Sequence, residues 1–461
     1  MYKVFRLFFI VLLVSTFDLN LGAQVSSSKT DSSSLFKAFT NGDFKGKFRY
    51  FFMATDNEAG LRDYYANAVG GNLRYETGSF FGFKIGISGS YVFNVISSDL
   101  SADKSTSQPN RYEVGLFEMD GTSNRKFFAR LEEAYVSYSR KNSTVKYGNQ
   151  LINTPFINLQ DGRMSPTAVE GLWMDLKPTS KFNLKGGYIH RVSPRGTNNW
   201  YYINNSMGIY PVGVDEAGVK SKYANQLSSR GLLIIEANWN FSKWLAFKFN
   251  DVMVDNIINT SMVQVDVAKS IKEGTSLSFS LQGLRQDAIN DGGNINEQLN
   301  YTNKGHKAFT YGARIQCNQM SWTHSLNFNR ITNNGRYLMP REWGRDPFFT
   351  FLPRERNEGF GDVSALVAKS EFRKKYFKYT IGFGYIEMPD VLNYELNKYG
   401  MPSYTHLNLG VNYNFEKYLK GLNGELLITR KDRTGKTYEN NKYVINKVNM
   451  TLFNLVLNYT F

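Results

Sequence analysis

From residue 44 to the end of the chain, apolar and polar residues alternate in many successive segments. Period-two alternation predicts β-strands with one apolar and one polar face. In one of the clearest segments, apolar Leu407, Leu409, Val411, Tyr413 and Phe415 alternate with polar His406, Asn408, Gly410, Asn412 and Asn414. No segment shows a convincing run of the 3.6-residue period that amphipathic helices have. The chain is therefore predicted to be all-β.

The length of these strands and the residues on their polar faces narrow the fold class. Strands of globular proteins usually have about 5 or 6 residues, whereas a tilted strand that crosses a membrane needs about 9 to 11, and most segments here reach the longer range. The polar faces consist of Ser, Thr, Asn, Gly and Lys, which suits a water-filled lumen, and the apolar faces suit lipid. We therefore predict a closed antiparallel transmembrane β-barrel; a secreted soluble β-protein is the alternative.

The number of strands and the lengths of their connections agree with such a barrel. Eighteen segments qualify, and single-chain bacterial barrels have an even number of strands; a count of 16 stays open. Short turns separate several pairs, while long polar inserts at 97–126, 193–227, 287–306 and 332–360 separate others, as expected of the two rims of a barrel. The predicted strands cover residues 44–54, 64–78, 80–95, 127–140, 143–152, 168–177, 181–192, 228–240, 243–254, 258–269, 274–286, 307–318, 320–331, 361–373, 376–387, 403–416, 421–432 and 448–461.

The two ends of the chain carry export signals. Residues 1–23 fit a secretory signal peptide, with Lys3 and Arg6 before an apolar core and a cleavage point near Ala23; an uncleaved helix is the alternative. Residues 24–43 are predicted to be a Ser-rich leader and residues 44–461 a single barrel domain. The leader is too short for the plug of a TonB-dependent transporter. The alternating C-terminus, which ends at Phe461, resembles the signal read by the barrel-assembly machinery of the outer membrane.

Composition excludes several other classes of protein. The chain is 42% hydrophobic and 15% aromatic, with a mean hydropathy of −0.40 and a single cysteine, Cys317. Its longest apolar run, residues 7–14, is too short for a membrane-spanning helix, and a chain so rich in aromatics is not disordered. One cysteine cannot form an internal disulfide or a cysteine metal cluster. Face-by-face sorting explains the low hydropathy, because the aromatics form the interfacial girdles.

The net charge of +15 gains meaning once the apolar face of each strand is taken to point outward. The inward acids would be Glu76, Asp175, Glu236, Asp266 and Glu425. The inward basic residues would be Lys45, Lys47, Arg49, Arg74, Lys84, Lys185, Arg191, Arg230, Lys248, Arg314 and Lys378. The lumen is thus predicted to be net positive, which favours small anionic or zwitterionic solutes. For residues near strand ends, such as Lys45 and Arg191, balancing acidic lipopolysaccharide at the rim is the alternative.

Catalysis and nucleic-acid binding are the other functions that this composition raises. None of the four histidines lies in a metal-binding pair such as HExxH. His406 falls on a polar face, and His324 and Cys317 fall on apolar faces. We predict no catalytic residue, metal or cofactor, and export argues against a nucleic-acid partner. A barrel hydrolase and a phosphate- or oligosaccharide-type porin are kept as alternatives.

Several blocks of residues carry a family resemblance. They are DYYA at 63–66, GGNLRYETG at 70–78, LEEAYV at 131–136, YGNQ at 147–150, DGRMSPT at 161–167, PREWGRDPFF at 340–349 and RERNEG at 354–359. In order and spacing these blocks resemble the OprD-type outer-membrane porins of Gram-negative bacteria. The resemblance implies an 18-stranded, substrate-selective channel for small, often carboxylate-bearing solutes (carboxylates, amino acids and peptides) that diffuse passively past loops folded into the lumen.

The resemblance also places the constriction. It implies residues 153–169 as the principal inward loop, where Asp161 and Arg163 would present opposite charges to a zwitterion. Residues 340–358 would form a second inward loop, with Arg341, Arg345 and Asp346 as candidate contacts. Because this second loop has nearly equal numbers of acids and bases, ion pairs that stiffen it are the alternative. The partners implied are small solutes, outer-membrane lipid and lipopolysaccharide.

Overall fold

The computed structural model describes residues 31–119, 127–160 and 163–461. The predicted signal peptide lies outside the described residues. Within the predicted leader, a short helix, α1 (Leu35–Thr40), begins after Ser34, whose side chain accepts a hydrogen bond from the backbone N–H of Lys37. No helix in the described part of the chain is long and apolar enough to span a membrane.

Nineteen strands form one antiparallel sheet in the described residues. Strand β8 has two residues and pairs only with β7, so the wall consists of the other 18, and it closes where β19 pairs with β1. The predicted closed 18-stranded barrel is confirmed. The strands are β1 (Asp43–Asp56), β2 (Tyr64–Glu76), β3 (Phe83–Ser97), β4 (Phe128–Arg140), β5 (Ser143–Gln150), β6 (Ala168–Leu176), β7 (Phe182–Ser193), β8 (Tyr201–Tyr202), β9 (Leu232–Asn240), β10 (Leu245–Val254), β11 (Ile258–Lys272), β12 (Thr275–Ala288), β13 (Lys307–Gln319), β14 (Trp322–Ile331), β15 (Val363–Lys374), β16 (Phe377–Glu387), β17 (Tyr404–Asn414), β18 (Leu422–Arg433) and β19 (Met450–Thr460).

The two rims differ as the insert lengths predicted. On one rim the connections are turns such as 141–142, 273–274, 320–321 and 375–376, and the chain end lies there too, where Gly46 and Phe461 exchange backbone hydrogen bonds. We call this the short-turn rim. The opposite, long-loop rim carries the connections 98–127, 151–167, 194–231, 289–306, 332–362, 388–403 and 434–449.

The outer face of the wall is mostly apolar, whereas the inner face changes character from one rim to the other. Outward Leu277, Phe279 and Leu281 on β12 are exposed, as lipid contact requires. Near the short-turn rim the inner face is polar. Near the long-loop rim it carries buried apolar residues such as Met53 and Ala66, because loops pack against it there. The simple expectation of a polar inner face is wrong in that half.

Candidate functional site

Connections from the long-loop rim pack against the inner face of the wall. We call the described parts of three of them, residues 98–119, 151–160 with 163–167, and 332–362, the inner loops. The family resemblance implied the second and third of these loops but not the first. A 3₁₀ turn at Glu113–Leu116 carries the first loop, and Leu116 and Phe117 are fully buried in a cluster with Phe51 and Met53 from the inner face of β1. The apolar run 114–117 within a polar insert was the signal for this packing.

Arg163 joins two of the inner loops and does not line a water-filled path. Its side chain is almost fully buried, and its guanidinium donates to the backbone carbonyl of Tyr112. It lies against Gly115, where an added Cβ would sit 3.2 Å from Nη1. The prediction of Arg163 as a substrate contact is therefore wrong, since its guanidinium is used to fasten one loop to another. Asp161, predicted to present the opposite charge to a solute, lies outside the described residues.

Arg130 on β4 is the most heavily hydrogen-bonded charged residue of this region, and it was not among the predicted site residues. Its fully buried guanidinium lies 2.8 Å from Glu132. It also donates to the carbonyls of Ser193 and Pro194 at 3.2 Å and to that of Pro166 at 2.5 Å. One wall residue therefore holds the loop 151–167 and the start of the 194–231 connection. Its place in the alternation on β4, inside a predicted strand, was the available signal.

A register shift in the pairing of β3 with β4 explains why two successive acids face inward next to Arg130. Ser88 pairs with Glu133, whereas Gly89 pairs with Leu131, so Glu132 is the extra residue of a β-bulge. Both carboxylates are buried. Strict alternation would have sent one of them outward.

The loop 332–362 is stiffened by a buried ion-pair cluster. Arg341 Nε lies 2.8 Å from Glu358, and its guanidinium carbon stands 3.6 Å from the ring centre of Tyr399. Lys398 adds a second contact to Glu358 at 3.3 Å. Burial alone would lower the pKa of Arg341, but Tyr399 and Glu358 more than offset it, so the net shift is upward. For Arg341 the ion-pair alternative is thus the correct one.

Arg345 and Asp346, the other two candidates in this loop, have different environments. Asp346 is buried and accepts a hydrogen bond from the backbone N–H of Asn357 at 2.7 Å. Burial raises the pKa of Asp346 to about 6. Arg345 is half-buried, and its guanidinium carbon lies 4.6 Å from the ring centre of Phe351. Of these two charges, Arg345 is the one that still reaches open space.

Two lysines of the wall fasten the innermost part of the same loop. Lys369 on β15 donates to the carbonyls of Phe349 and Phe351 at 2.7 and 2.8 Å. Lys431 on β18 donates to the carbonyl of Arg354 at 2.8 Å. Both lie on inner-face positions of predicted strands, yet neither was among the predicted residues. Which loop carbonyls they bind could not be read from strand periodicity.

Six of the predicted basic residues lie on the inner wall, each beside a carboxylate. Arg74 contacts both Glu76 and Glu133, and Asp266 is shared by Lys248 and Arg314. The nitrogen–oxygen distances are 2.9 Å for Arg74–Glu76, 3.1 Å for Arg74–Glu133, 3.2 Å for Lys84–Glu76, 3.5 Å for Lys185–Asp175, 3.0 Å for Lys248–Asp266, 3.7 Å for Arg314–Asp266 and 3.0 Å for Lys378–Glu371. The wall is thus a mixture of both signs of charge.

Strand β1 is the exception, because three successive inward positions are basic. Lys45, Lys47 and Arg49 follow one another at alternate residues, about 6.8 Å apart along the strand. Arg49 donates to Asn458 Oδ1 at 2.7 Å and to the carbonyl of Arg163. Between Arg49 and the short-turn rim, a cavity of about 800 Å³ opens at that rim. Its lining includes Lys45, Lys47, Asn72, Arg74, Asn414 and Asn423. We call Lys45, Lys47 and Arg49 the β1 ladder.

Two predicted lumen residues are placed elsewhere. Arg230 precedes β9, and its side chain is 70% exposed and paired with Asp255 at 2.9 Å; its carbonyl accepts from Tyr188, whose ring faces outward. Arg191 follows a register shift in β7 and pairs with Glu170 at 2.9 Å, on the face opposite buried Val192. Both lie at the outer edge of the long-loop rim, which is the alternative that the sequence left open for Arg191.

The histidines give no sign of a catalytic or metal centre. His406 is on the inner face, as predicted, but it is fully buried 3.6 Å from Glu355 and does not line open water. His324 and Cys317 are on the outer face. Within the described ranges, no three His, Cys, Asp or Glu side chains are grouped so that they could hold a metal ion.

Comparison with known proteins places these features in a family. The sequence profile described as "outer membrane porin, OprD family" matches residues 38–325. No curated protein sequence matches the chain.

Solved structures of several porins have the same fold. Acinetobacter baumannii OccAB2 is 14% identical with a TM-score of 0.69, over 92% of this chain and 99% of that one. Pseudomonas aeruginosa OccD3 is 12% identical with a TM-score of 0.68, over 95% of each chain. Pseudomonas aeruginosa OpdK, solved with vanillate, is 12% identical with a TM-score of 0.69, over 92% and 99%.

Proposed function

The chain belongs to the OprD family of outer-membrane porins, and from that premise we propose that it passes small anionic or zwitterionic organic solutes by passive diffusion. OprD-family porins are channels of the outer membrane and not enzymes, so the hydrolase alternative is excluded. The solutes in question are carboxylates, amino acids and short peptides. The β1 ladder is the observation that carries this proposal.

The ladder suits anions because its charges are only partly compensated. In the described residues no carboxylate lies within 4.0 Å of Lys47 or Arg49, while Lys45 pairs with Asp43 in an exposed contact. A carboxylate that leaves the inner loops would meet Arg49, then Lys47, then Lys45, at spacings of about 6.8 Å. Successive weak sites let an ion pass from one to the next, whereas one tight site would retain it.

The mixed charges on the rest of the wall support a zwitterion as well as a simple anion. Glu76 lies beside Arg74 and Lys84, and Asp266 beside Lys248 and Arg314. An amino acid could pair its ammonium group with the acidic member of such a pair and its carboxylate group with the basic member. We therefore assign to the solute path the β1 ladder together with Arg74, Lys84, Lys185, Lys248, Arg314 and Lys378, with Arg345 at the inner loops.

The other parts of the proposal follow from the family and the chain ends. One family structure, OpdK, was solved with vanillate, a small aromatic carboxylate, which agrees with an anionic solute class.

We also propose that residues 1–23 direct export, that residues 24–43 precede a single barrel domain, and that the segment ending at Phe461 engages the barrel-assembly machinery. Arg191 and Arg230 at the outer rim suit contact with lipopolysaccharide.

Ion selectivity in planar bilayers tests the solute class. Reversal potentials in a salt gradient should show anion preference, and Lys47→Gln should reduce the anion-to-cation permeability ratio by roughly a factor of two. Lys269→Gln is the matched control. Lys269 lies on the outer face of β11, so this substitution removes the same charge outside the lumen. Cation selectivity of the unmodified channel, or equal shifts in the two variants, would refute the role of the ladder.

A further inference from the structure

The outer wall holds a polar pair where the surface should be apolar. His324 on β14 and Ser370 on β15 are direct cross-strand neighbours, and Nδ1 of His324 lies 2.9 Å from Oγ of Ser370. Both face outward, since the next residues on the same face of β14, Trp322 and Leu326, are exposed. Polar and ionisable groups facing lipid are costly and mark functional positions in membrane proteins.

A depression of about 510 Å³ opens beside this pair. In one cross-strand row Ala368 lies between Leu326 and Phe383, and in the next row Ser370 lies between His324 and Ile381. The small side chains at 368 and 370 leave the gap that the larger neighbours surround. The Ala368 row lies farther from the short-turn rim, and therefore deeper in the membrane, than the His324 row.

The polar end of the depression lies at the level of an aromatic girdle. The ring of Trp322 stacks on His324 with centroids 5.3 Å apart, and Phe372 lies 4.6 Å from Trp322. Such girdles mark the level of lipid head groups. Beyond them, at the turn between β15 and β16, come the exposed cations Lys374 and Lys375. From the membrane interior outward, the surface thus runs from apolar to hydrogen-bonding to positive.

We propose that this depression binds one glycerophospholipid of the inner leaflet of the outer membrane. An acyl chain lies over Ala368. With Ser370 donating its hydroxyl proton to Nδ1, the Nε2–H of His324 donates to an ester or phosphate oxygen of the lipid. Lys374 and Lys375 attract the phosphate. This occupant provides a partner for the imidazole nitrogen that Ser370 does not contact, which bare hydrocarbon could not do.

A second copy of the barrel is the other occupant to consider, and the size of the depression argues against it. Two residue rows about 6.8 Å apart, across four strands about 4.8 Å apart, cover on the order of 260 Å². A stable protein interface buries about 800 Å² on each partner. The feature fits a single lipid chain and not a protein surface.

Native mass spectrometry of the delipidated barrel titrated with phosphatidylglycerol tests this site. Ala368→Phe fills the gap and should weaken binding of the first lipid about tenfold or more, and His324→Leu should weaken it while leaving the gap open. Ala129→Phe is the matched control, because Ala129 is an exposed alanine on the outer face of β4, away from the depression. Heat-dependent gel mobility establishes that each variant remains a folded barrel.

The outcomes separate the alternatives. Reduced lipid binding in both Ala368→Phe and His324→Leu, with Ala129→Phe unchanged, supports the site. Equal lipid binding in Ala368→Phe and Ala129→Phe would overturn it. A dimer mass that Ala368→Phe alone abolishes would also overturn it, and would assign the depression to a second copy of the chain.

Discussion

The two halves of the barrel interior are built from the same strands but are filled differently. Toward the short-turn rim the inner face is hydrated and charged, with pairs such as Lys185–Asp175 whose side chains are 34% and 29% exposed. Toward the long-loop rim the inner face is apolar and covered by the inner loops, and its charges, such as Arg130, are fully buried. The first half resembles a protein surface turned inward, whereas the second resembles the core of a soluble protein.

Because of this difference, basic residues of the same type have different roles in the two halves. A fully buried arginine in the long-loop half, such as Arg130, is a structural anchor, because its guanidinium must be matched by carbonyls and carboxylates. A lysine or arginine in the short-turn half stays in contact with water and is available to a passing solute. Charge type alone does not separate the two roles; depth along the strand does.

Of the substitutions predicted here, Arg130→Met is expected to lower the free energy of unfolding the most. The substitution leaves Glu132 buried without its guanidinium partner and frees three backbone carbonyls, so the free energy of unfolding should fall by about 3–5 kcal/mol. The same loss should release the loop 151–167 and make single-channel currents noisier. Denaturant unfolding and bilayer recordings measure the two effects. Stability within 1 kcal/mol of the unmodified protein would show that the buried half tolerates loss of its anchor.

A second, smaller effect concerns pH and the loop 332–362. The pKa of Asp346 is raised by burial to about 6 from its ordinary 3.8, so the folded loop binds a proton that the unfolded chain releases. The loop should therefore gain stability as pH falls from 7 toward 4, by up to about 3 kcal/mol, and should lose it again as pH rises through 6.

Gating recorded across this pH range tests that titration. Closed-loop lifetimes should lengthen on acidification in the unmodified channel, and Asp346→Asn, which keeps the shape of the side chain without a titrating group, should flatten the dependence. A slope that persists unchanged in Asp346→Asn would assign the titration to another buried acid of the loop, such as Glu342, whose pKa burial also raises.

The same division explains how far the sequence could predict this molecule. Alternation located most strands within a few residues, as for the segment 403–416 against β17 at Tyr404–Asn414. It also gave the facing of Lys47, Lys248 and Lys378 in the hydrated half. Alternation indicates which face of the sheet a residue occupies, but it does not indicate what packs against that face. It therefore could not explain the apolar residues on the inner face, which contact the loops.

Two physical features of the structure could not be predicted from the alternation of apolar and polar residues. Bulges change the facing of every residue beyond them, which put Glu132 and Glu133 on the same side and turned Arg191 outward. Contacts between distant loops follow no local pattern, so the bond from Arg163 to the carbonyl of Tyr112, 51 residues away, could not be anticipated. Such contacts decide whether an arginine is an anchor or a solute contact.

The smallest effect, expected from Lys185→Met, completes the comparison with Arg130→Met. Lys185 also contacts a carboxylate, at 3.5 Å, but both side chains are partly exposed to the lumen, where water and salt screen the pair. Its loss should therefore lower the free energy of unfolding by about 0.2–1 kcal/mol, and less at high salt. Denaturant unfolding at two salt concentrations measures this. A loss as large as that of Arg130→Met would mean that the short-turn half is as tightly packed as the other, and the availability of its charges to a solute would then have to be abandoned.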